Sequence, residues 1–485
     1  MSEFETVIGL EVHVQLATQT KLFCGCSIAF GNEPNANVCE ICLGMPGVLP
    51  VMNAEALRLA VRLGTALGCE ISDRSVFSRK NYFYPDLPKG YQVTQFDRPI
   101  CEGGSITITL AAGDGATGDV TRSIPLTRIH LEEDAGKNTH LANAPQSHID
   151  FNRAGTPLCE VVSDPELRSS DEAVAYLREL RNIVRYLGAC DGHMEQGSFR
   201  CDANVSIRPV GQTALGTRTE LKNLNSFGFV KRAIEYELNR QAEVIRSGGT
   251  IVQETRLWDE KANVTRSMRS KEEAHDYRYF PEPDLLPLVV DAALRAAALK
   301  DMPELPRARR DRYVAELGVT EYDADVLTSE HDLSDYFDAV VSAGADGKTA
   351  ANWVQGDLRG RLNADGLTFT ESPVPAADLA EILTRVGRGK LSGKLAKQVF
   401  AKVYGGETLK AVLAQTGDQL TDPAAIRAAI EPILDAKPVE VAQFLEGKQQ
   451  VIGFFIGQVM KATRGKANPQ VVRTVLIQAL TERGE

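Results

Sequence analysis

Five short stretches of the chain alternate polar and apolar residues, and their polar positions carry carboxylates, histidines, amides and basic groups. Gly9, Glu11, His13 and Gln15 interleave with Leu10, Val12, Val14 and Leu16. Arg128, His130, Glu132 and Asp134 interleave with Ile129 and Leu131, and His148, Asp150 and Asn152 with Ile149 and Phe151. Ser198, Arg200, Asp202, Asn204 and Ser206 alternate with Phe199, Cys201, Ala203, Val205 and Ile207, while Arg218, Glu220 and Lys222 flank Thr219 and Leu221. A period of two sends successive side chains to opposite faces of a strand. The runs therefore predict one antiparallel sheet with an apolar back and an ionic front. Carboxylates crowded on one face repel one another, so a cation such as a metal ion is expected among them. Glu11, Glu132, Glu133, Asp202 and Glu220 are the supply, with His13 on the face of Glu11. Glu133 points to the other face if its strand continues, and joins the site only if the strand ends at Glu132, before the turn Asp134-Ala135-Gly136.

Four of the nine cysteines fall as Cys24-x-Cys26 and Cys39-x-x-Cys42, with twelve residues between the pairs. Each pair can turn two sulfurs toward one ion, and the Asn-, Gly- and Pro-rich segment between them can bring the second pair over. That is the spacing of a closed, structural tetrathiolate zinc site. The other reading is four reduced thiols beside a loop. With no export signal visible and no run near the ~20 apolar residues a membrane span needs, a reducing cytoplasmic setting is expected.

A length of 485 residues suggests about three domains. Strand-rich sequence runs over 1–292, interrupted by helical patterns at 53–67, 170–187 and 227–247. This mixture predicts an α+β fold rather than a βαβ series. Residues 293–405 read as a helical domain, and 406–485 as a small helical tail. The net charge of −11 argues weakly against a general nucleic-acid binder. The tail, however, carries Lys448, Lys461, Arg464, Lys466 and Arg473 with no acidic residue among them. It suits either a phosphate-backbone contact or a solvated helix end.

No dinucleotide glycine motif follows a strand, and the Gly-Lys-Thr ending at Thr349 lacks a glycine at Ser342. ATP would have to be held through metal ions bridging its phosphates to the acidic sheet. Two further segments flank that sheet in expectation. Residues 80–91 pack three tyrosines, two prolines and two lysines, and 266–283 are basic and aromatic. The first is too stiff for a random linker and adds to the ionic face, or else is a packed surface loop; the second suits a wall for nucleic acid or phosphate, or else salt-bridged surface structure.

The runs Ile8 to Leu16, Tyr84 to Tyr91, His130 to Lys137, Asp150 to Gly155, Gly197 to Asn204, Arg218 to Ser226 and His275 to Pro283 resemble the B-subunit family of bacterial aspartyl/glutamyl-tRNA amidotransferases. The likeness runs in order over nearly the whole chain. It implies a glutamine-synthetase-like sheet cradle followed by all-helical domains. It also implies that ATP phosphorylates the side-chain carboxylate of Glu mis-attached to tRNA(Gln) or Asp mis-attached to tRNA(Asn). Ammonia from a glutaminase (A) subunit would then give the amide, in a complex that includes a C subunit. Under that likeness Glu11, His13, Glu132 and Glu133 match the magnesium-site motifs, and Asp202 and Glu220 match neighbouring ones. Arg200, Asn204 and Lys222 would hold phosphate or the acyl end, and Lys80 and Lys89 resemble polar residues near the ammonia conduit. Cys24, Cys26, Cys39 and Cys42 match a zinc site that some members keep. Lys461, Arg464 and Lys466 lie in the part similar to the tRNA-contacting tail. Two other classes compete: a stand-alone ligase for a small carboxylic acid, and a non-catalytic zinc-bearing RNA scaffold.

Overall fold

The computed structural model describes residues 3–110, 120–140, 146–270, 276–416, 420, 422–463 and 465–484. The chain divides into two compact units, Met1–Leu305 and Pro306–Glu485.

A ten-stranded sheet organises the first unit. Its strands are β1 (Phe4–Gln15), β2 (Glu70–Ile71), β3 (Cys101–Glu102), β4 (Ser105–Leu110), β5 (Val120–Glu133), β6 (Pro157–Ser163), β7 (Phe199–Pro209), β8 (Thr219–Lys222), β9 (Glu254–Asp259) and β10 (Val264–Ser270). Their order is β10-β9-β8-β7-β1-β6-β5-β3-β2, with β4 also on β5. The long alternating run at the N-terminus thus becomes the centre of the sheet. Its even positions Leu10, Val12 and Val14 are fully buried on the back. Each such side chain contributes about 1.5–3 kcal/mol.

Three helices cover that back: α1 (Ala54–Ala66), α2 (Ser170–Tyr186) and α3 (Phe227–Arg246). Asn53, Ser169 and Ser226 cap them, each accepting from a backbone N–H in the first turn. Asn53 does more than cap, because its Nδ2 also donates to Thr20 O and Lys21 O at 3.1 and 3.2 Å. Asn53→Ala should therefore cost about 2 kcal/mol, the upper end for a lost cap. Urea unfolding of the variant checks this, and a midpoint equal to the parent's would contradict it.

Three expectations need correction. The sheet is mixed rather than wholly antiparallel, because β8 and β9 pair in parallel. The chain between them is α3, a crossover that brings the next strand back in the same direction. The run around His148 is also not part of this sheet. It forms a separate hairpin, Lys137–His140 with Ser147–Asp150. The strand that takes its place beside β1 is β6, which alternation alone does not reveal. Leu158, Cys159, Val161 and Val162 make it nearly continuous in apolar residues, with Glu160 alone breaking the run. The segment 80–91 is likewise more than a loop. Its two ends lie in strands Ser78–Asn81 and Tyr91–Thr94, which pair with each other, and the first also pairs with Phe280–Pro281.

The second unit is built of helices around two apolar cores, one running from Tyr313 to Val412 and the other from Ile426 to Leu480. Among the described residues, no helix is long and apolar enough to cross a membrane.

Candidate active site and cysteine cluster

Strand register decides which ionic side chains meet. On β1, Glu11 stands opposite Asp202 and His13 opposite Arg200 of β7. On its other side, His13 stands opposite Glu160 of β6, which in turn faces His130 of β5. Four buried or half-buried groups therefore converge. His13 Nε2 is 3.4 Å from Glu132 Oε1 and 3.6 Å from Glu160 Oε2. His130 Nε2 is 3.1 Å from Glu160 Oε2 and 3.6 Å from Glu132 Oε2. Thr94 Oγ1 adds a hydrogen bond to Glu132 Oε2 at 3.1 Å.

The electrostatics follow from this packing. Burial alone would strip both imidazoles of charge, but Glu160 and Glu132 outweigh it. They raise His13 and push His130 up to about 9. Burial likewise opposes ionisation of Glu132 and Glu160, and the two histidines outweigh it, holding both carboxyls below the ordinary range. Glu11 behaves in the opposite way. Burial and then the nearby Glu160, Glu220 and Asp202 raise its pKa, while Asn204 Nδ2 donates to its Oε1 at 2.9 Å. The set His13, Glu132 and Glu160 offers three ligand atoms within 4.8 Å of one another. Two carboxylates suit a hard divalent cation such as magnesium or manganese, with the imidazole as a third and softer donor.

This cluster opens into a cavity of about 420 Å³, whose lining includes His13, Lys80, Glu132, Arg200, Asp202 and Lys222. Arg200 bonds Asp134 Oδ2 at 2.7 Å. Lys222 is ion-paired with Asp202 and lies 3.1 Å from Glu220. A second cavity of about 270 Å³ continues along the same face past Gly9, Glu11, Asn204 and Arg218. Glu133 is not with this group. Strand β5 runs on through it, so its carboxylate emerges on the other side, ion-paired to Lys89 and accepting from Val93 N at 2.9 Å. Lys80 and Lys89, near neighbours in sequence, accordingly line different pockets. Glu160 was absent from the acidic set read from the sequence. A lone carboxylate in an otherwise apolar strand was the available signal, since a buried charge needs partners.

The four cysteines do come together, with ligand sulfurs within 4.8 Å of one another. Cys24 and Cys42 sulfurs are 3.6 Å apart, and Cys39 and Cys42 sulfurs 3.8 Å. A zinc–sulfur bond of about 2.3 Å in a tetrahedron requires sulfurs about 3.8 Å apart, so the cluster could hold zinc. Lys21, fully buried, donates from Nζ to Cys42 Sγ at 3.3 Å and to Asn37 O at 2.8 Å. The hairpin residues displaced from the main sheet have their use here. Asp150 and Asn152 accept from the backbone N–H groups of Asn35 and Asn37 at 3.0 and 2.8 Å, pinning the intervening loop.

In the tail, Lys461 lies in the last turn of the helix Val451–Ala462, and both it and Lys466 are exposed. Arg464 lies outside the described residues, as do 271–275 of the basic aromatic segment.

A mixed sheet with an acid- and imidazole-lined cavity on its front, followed by helical modules, defines an α+β catalytic cradle with appended helical domains. Residues 6–296 match the family described as the GatB/GatE catalytic domain, and 335–480 match the GatB domain. The aspartyl/glutamyl-tRNA(Asn/Gln) amidotransferase B subunit of Syntrophotalea carbinolica is 53% identical over 482 residues, 99% of each chain. The protein of the same name from Geobacter sulfurreducens is 53% identical over 483 residues, covering 98% of this chain and 99% of that one. That of Thermodesulfovibrio yellowstonii is 50% identical over 482 residues, 99% of this chain and all of that one. The chain belongs to the family of these B subunits.

Proposed function

We infer that the chain is the carboxylate-activating subunit of a tRNA-dependent amidotransferase, an ATP-dependent carbon–nitrogen ligase. The observation that carries the reading is the front cavity, where acidic, imidazole and basic groups surround a space sized for a phosphoryl group and the end of an amino-acid side chain. A carboxylate is a poor acylating agent and its acyl phosphate a good one. In the first step an oxygen of the substrate's Glu or Asp side chain bonds to the γ-phosphorus of ATP. The bond to the β–γ bridging oxygen breaks, and its electron pair leaves with ADP. In the second, ammonia adds to the acyl carbon and the carbon–oxygen bond breaks. Inorganic phosphate departs with that pair and takes the proton the nitrogen sheds.

Such transfers need positioning and charge control rather than a protein nucleophile. His13, Glu132 and Glu160 would hold magnesium, with Glu11 and Asp202 nearby, and magnesium when bound neutralises phosphate charge. Arg200 and Lys222 are oriented by Asp134, Asp202 and Glu220 and face the same space, while Asn204 fixes Glu11. Glu133 and Lys89 brace the neighbouring wall. The ammonia source is a glutaminase partner (A subunit), and a C subunit completes the assembly. Lys461 and Lys466 face solvent, and with Arg464 between them in the sequence they suit the phosphate backbone of tRNA(Gln) or tRNA(Asn).

Reconstitution tests the reading. Mixed with candidate A and C subunits, ATP, magnesium, glutamine and mischarged tRNA, the chain should convert Glu or Asp on the tRNA to its amide. Amidation by the isolated chain from glutamine would overturn it. Truncation separates it from a small-acid ligase. Leu409 and Val412 belong to the first helical core, so cutting after Thr416 spares that core. The loss of these cations should weaken tRNA use by on the order of tenfold or more at physiological salt while leaving ATP binding intact. An unchanged KM for tRNA would favour the small-molecule ligase.

A further inference from the structure

The front cavity has Lys80, Arg200 and Lys222 in its wall, and two of them are already committed. Arg200 is bonded to Asp134, and Lys222 is bonded to Asp202 and Glu220. Lys80 differs. Among the described residues its ammonium makes no ion pair and no hydrogen bond. Its Nζ instead stands 4.9 Å above the ring of Tyr277, which meets Tyr82 edge-to-face at 6.0 Å. An ammonium carries three donors, and a ring face replaces only part of the hydration it gives up. Lys80 lines the front cavity, where the donors left over are available. Arg200 Nε, also buried without a partner, adds a second unused donor on the same wall.

We propose that Lys80 is a catalytic residue whose ammonium, backed by Tyr277, binds the oxygens of the transferring phosphoryl group. It does so first on ATP and then on the acyl phosphate. The proposal rests on the functional reading above and gives Lys80 a role other than the ammonia conduit its sequence neighbourhood suggests. A conduit group that takes a proton from ammonium must itself be neutral. Burial works against the charge on Lys80, but Glu132, Tyr279 and Glu160 outweigh it and keep the amine protonated. A fixed cation aimed at oxygens that gain charge during transfer is what phosphoryl-transfer sites use. Lys80 donates throughout and neither gains nor loses a proton. The bonds made and broken are those of the first step above.

The test uses the complex with its partner subunits, carrying Lys80→Met or Lys80→Arg. ADP release is measured with magnesium and mischarged tRNA but no nitrogen donor, followed by amidation from glutamine and from free ammonia. Lys80→Met should lower ADP release by on the order of 100-fold, and the deficit should be equally deep with either nitrogen source. Lys80→Arg should stay within about tenfold of the parent, since a guanidinium also binds phosphate. Three results overturn the proposal. One is normal ADP release with amidation restored by free ammonia, which makes Lys80 part of ammonia delivery. Another is full recovery at raised magnesium, which makes it a counter-charge to the carboxylates. The third is an arginine variant as impaired as the methionine one. If the parent complex itself releases no ADP, the functional reading has failed, and that outcome is distinct from all three.

Discussion

Glu132→Gln should lower tRNA-dependent ADP formation by on the order of 1,000-fold, the upper range for removing one preorganised charge from a reaction centre. Glu132 is buried and lies between His13 and His130, with Thr94 bonded to its second oxygen. Glutamine keeps the shape and removes the charge. The trio His13, Glu132 and Glu160 then retains one carboxylate, and a hard cation loses the better part of its attraction. Both imidazoles lose a counter-charge at the same time, so the variant should also be less stable. The assay must therefore be paired with a thermal unfolding scan of the same preparation. Free ammonia should not rescue the loss, because activation precedes attack by nitrogen. Glu133→Gln provides the contrast. Its carboxylate lies on the other side of the strand, so its effect should be far smaller on ADP formation at saturating ATP. ADP formation by Glu132→Gln within about threefold of the parent would remove the basis for the site. So would an equal loss in both variants.

Much of this arrangement was legible in the sequence, for a physical reason. β1 and β7 have one face against the helices and one toward the cavity, so burial imposes alternation on both. His13, Arg200 and Asp202 could therefore be assigned to one face before any register was known. β6 escaped notice because its cavity-facing positions carry Leu158 and Val162 on either side of Glu160, leaving no polar–apolar rhythm and hiding that carboxylate. The hairpin at Ser147–Asp150 misled for the converse reason. A two-stranded surface ribbon alternates as cleanly as a sheet strand, and nothing in its pattern says which partner it takes. Glu133 turned on a single residue of strand length, the kind of boundary that local sequence specifies least. The parallel pairing of β8 and β9 depends on the path of α3, which strand patterns do not encode. The thiolate cluster was the easiest part, because two close cysteine pairs fix their own geometry once a loop can close.

That cluster carries the last prediction. Cys42→Ser should reduce zinc from one ion per chain to near none, read with a metallochromic dye after denaturation. It should also expose 27–38 to proteolysis. Between its cysteines, this segment has no helix or ladder to hold it. Without the ion it is held by the Lys21 ammonium, by the bridge of Ser27 to Thr20, and by hydrogen bonds that join Glu33, Asn35 and Asn37 to 149–152. Structural zinc sites supply about 10–16 kcal/mol of apparent binding energy in small peptides, far more than a few surface hydrogen bonds return. The effect should reach the front cavity by a short path. Gly44, which ends the four-residue helix after Cys39, has φ 63°, and a Cβ there would lie 2.5 Å from Lys89 Cγ. The stem of Lys89 is thus laid across the cysteine loop, and its ammonium holds Glu133 at the residue after Glu132. Loosening the loop frees Lys89, then Glu133, then the end of β5 that presents Glu132. A fall in ADP formation of about tenfold is expected, in the range that supporting contacts around metal sites command. Gly44→Ala should reproduce part of that fall with zinc still bound. A serine variant that keeps its zinc would show that the sulfurs do not form the site. One that loses zinc with ADP formation unchanged would show that the loop and the cavity are independent.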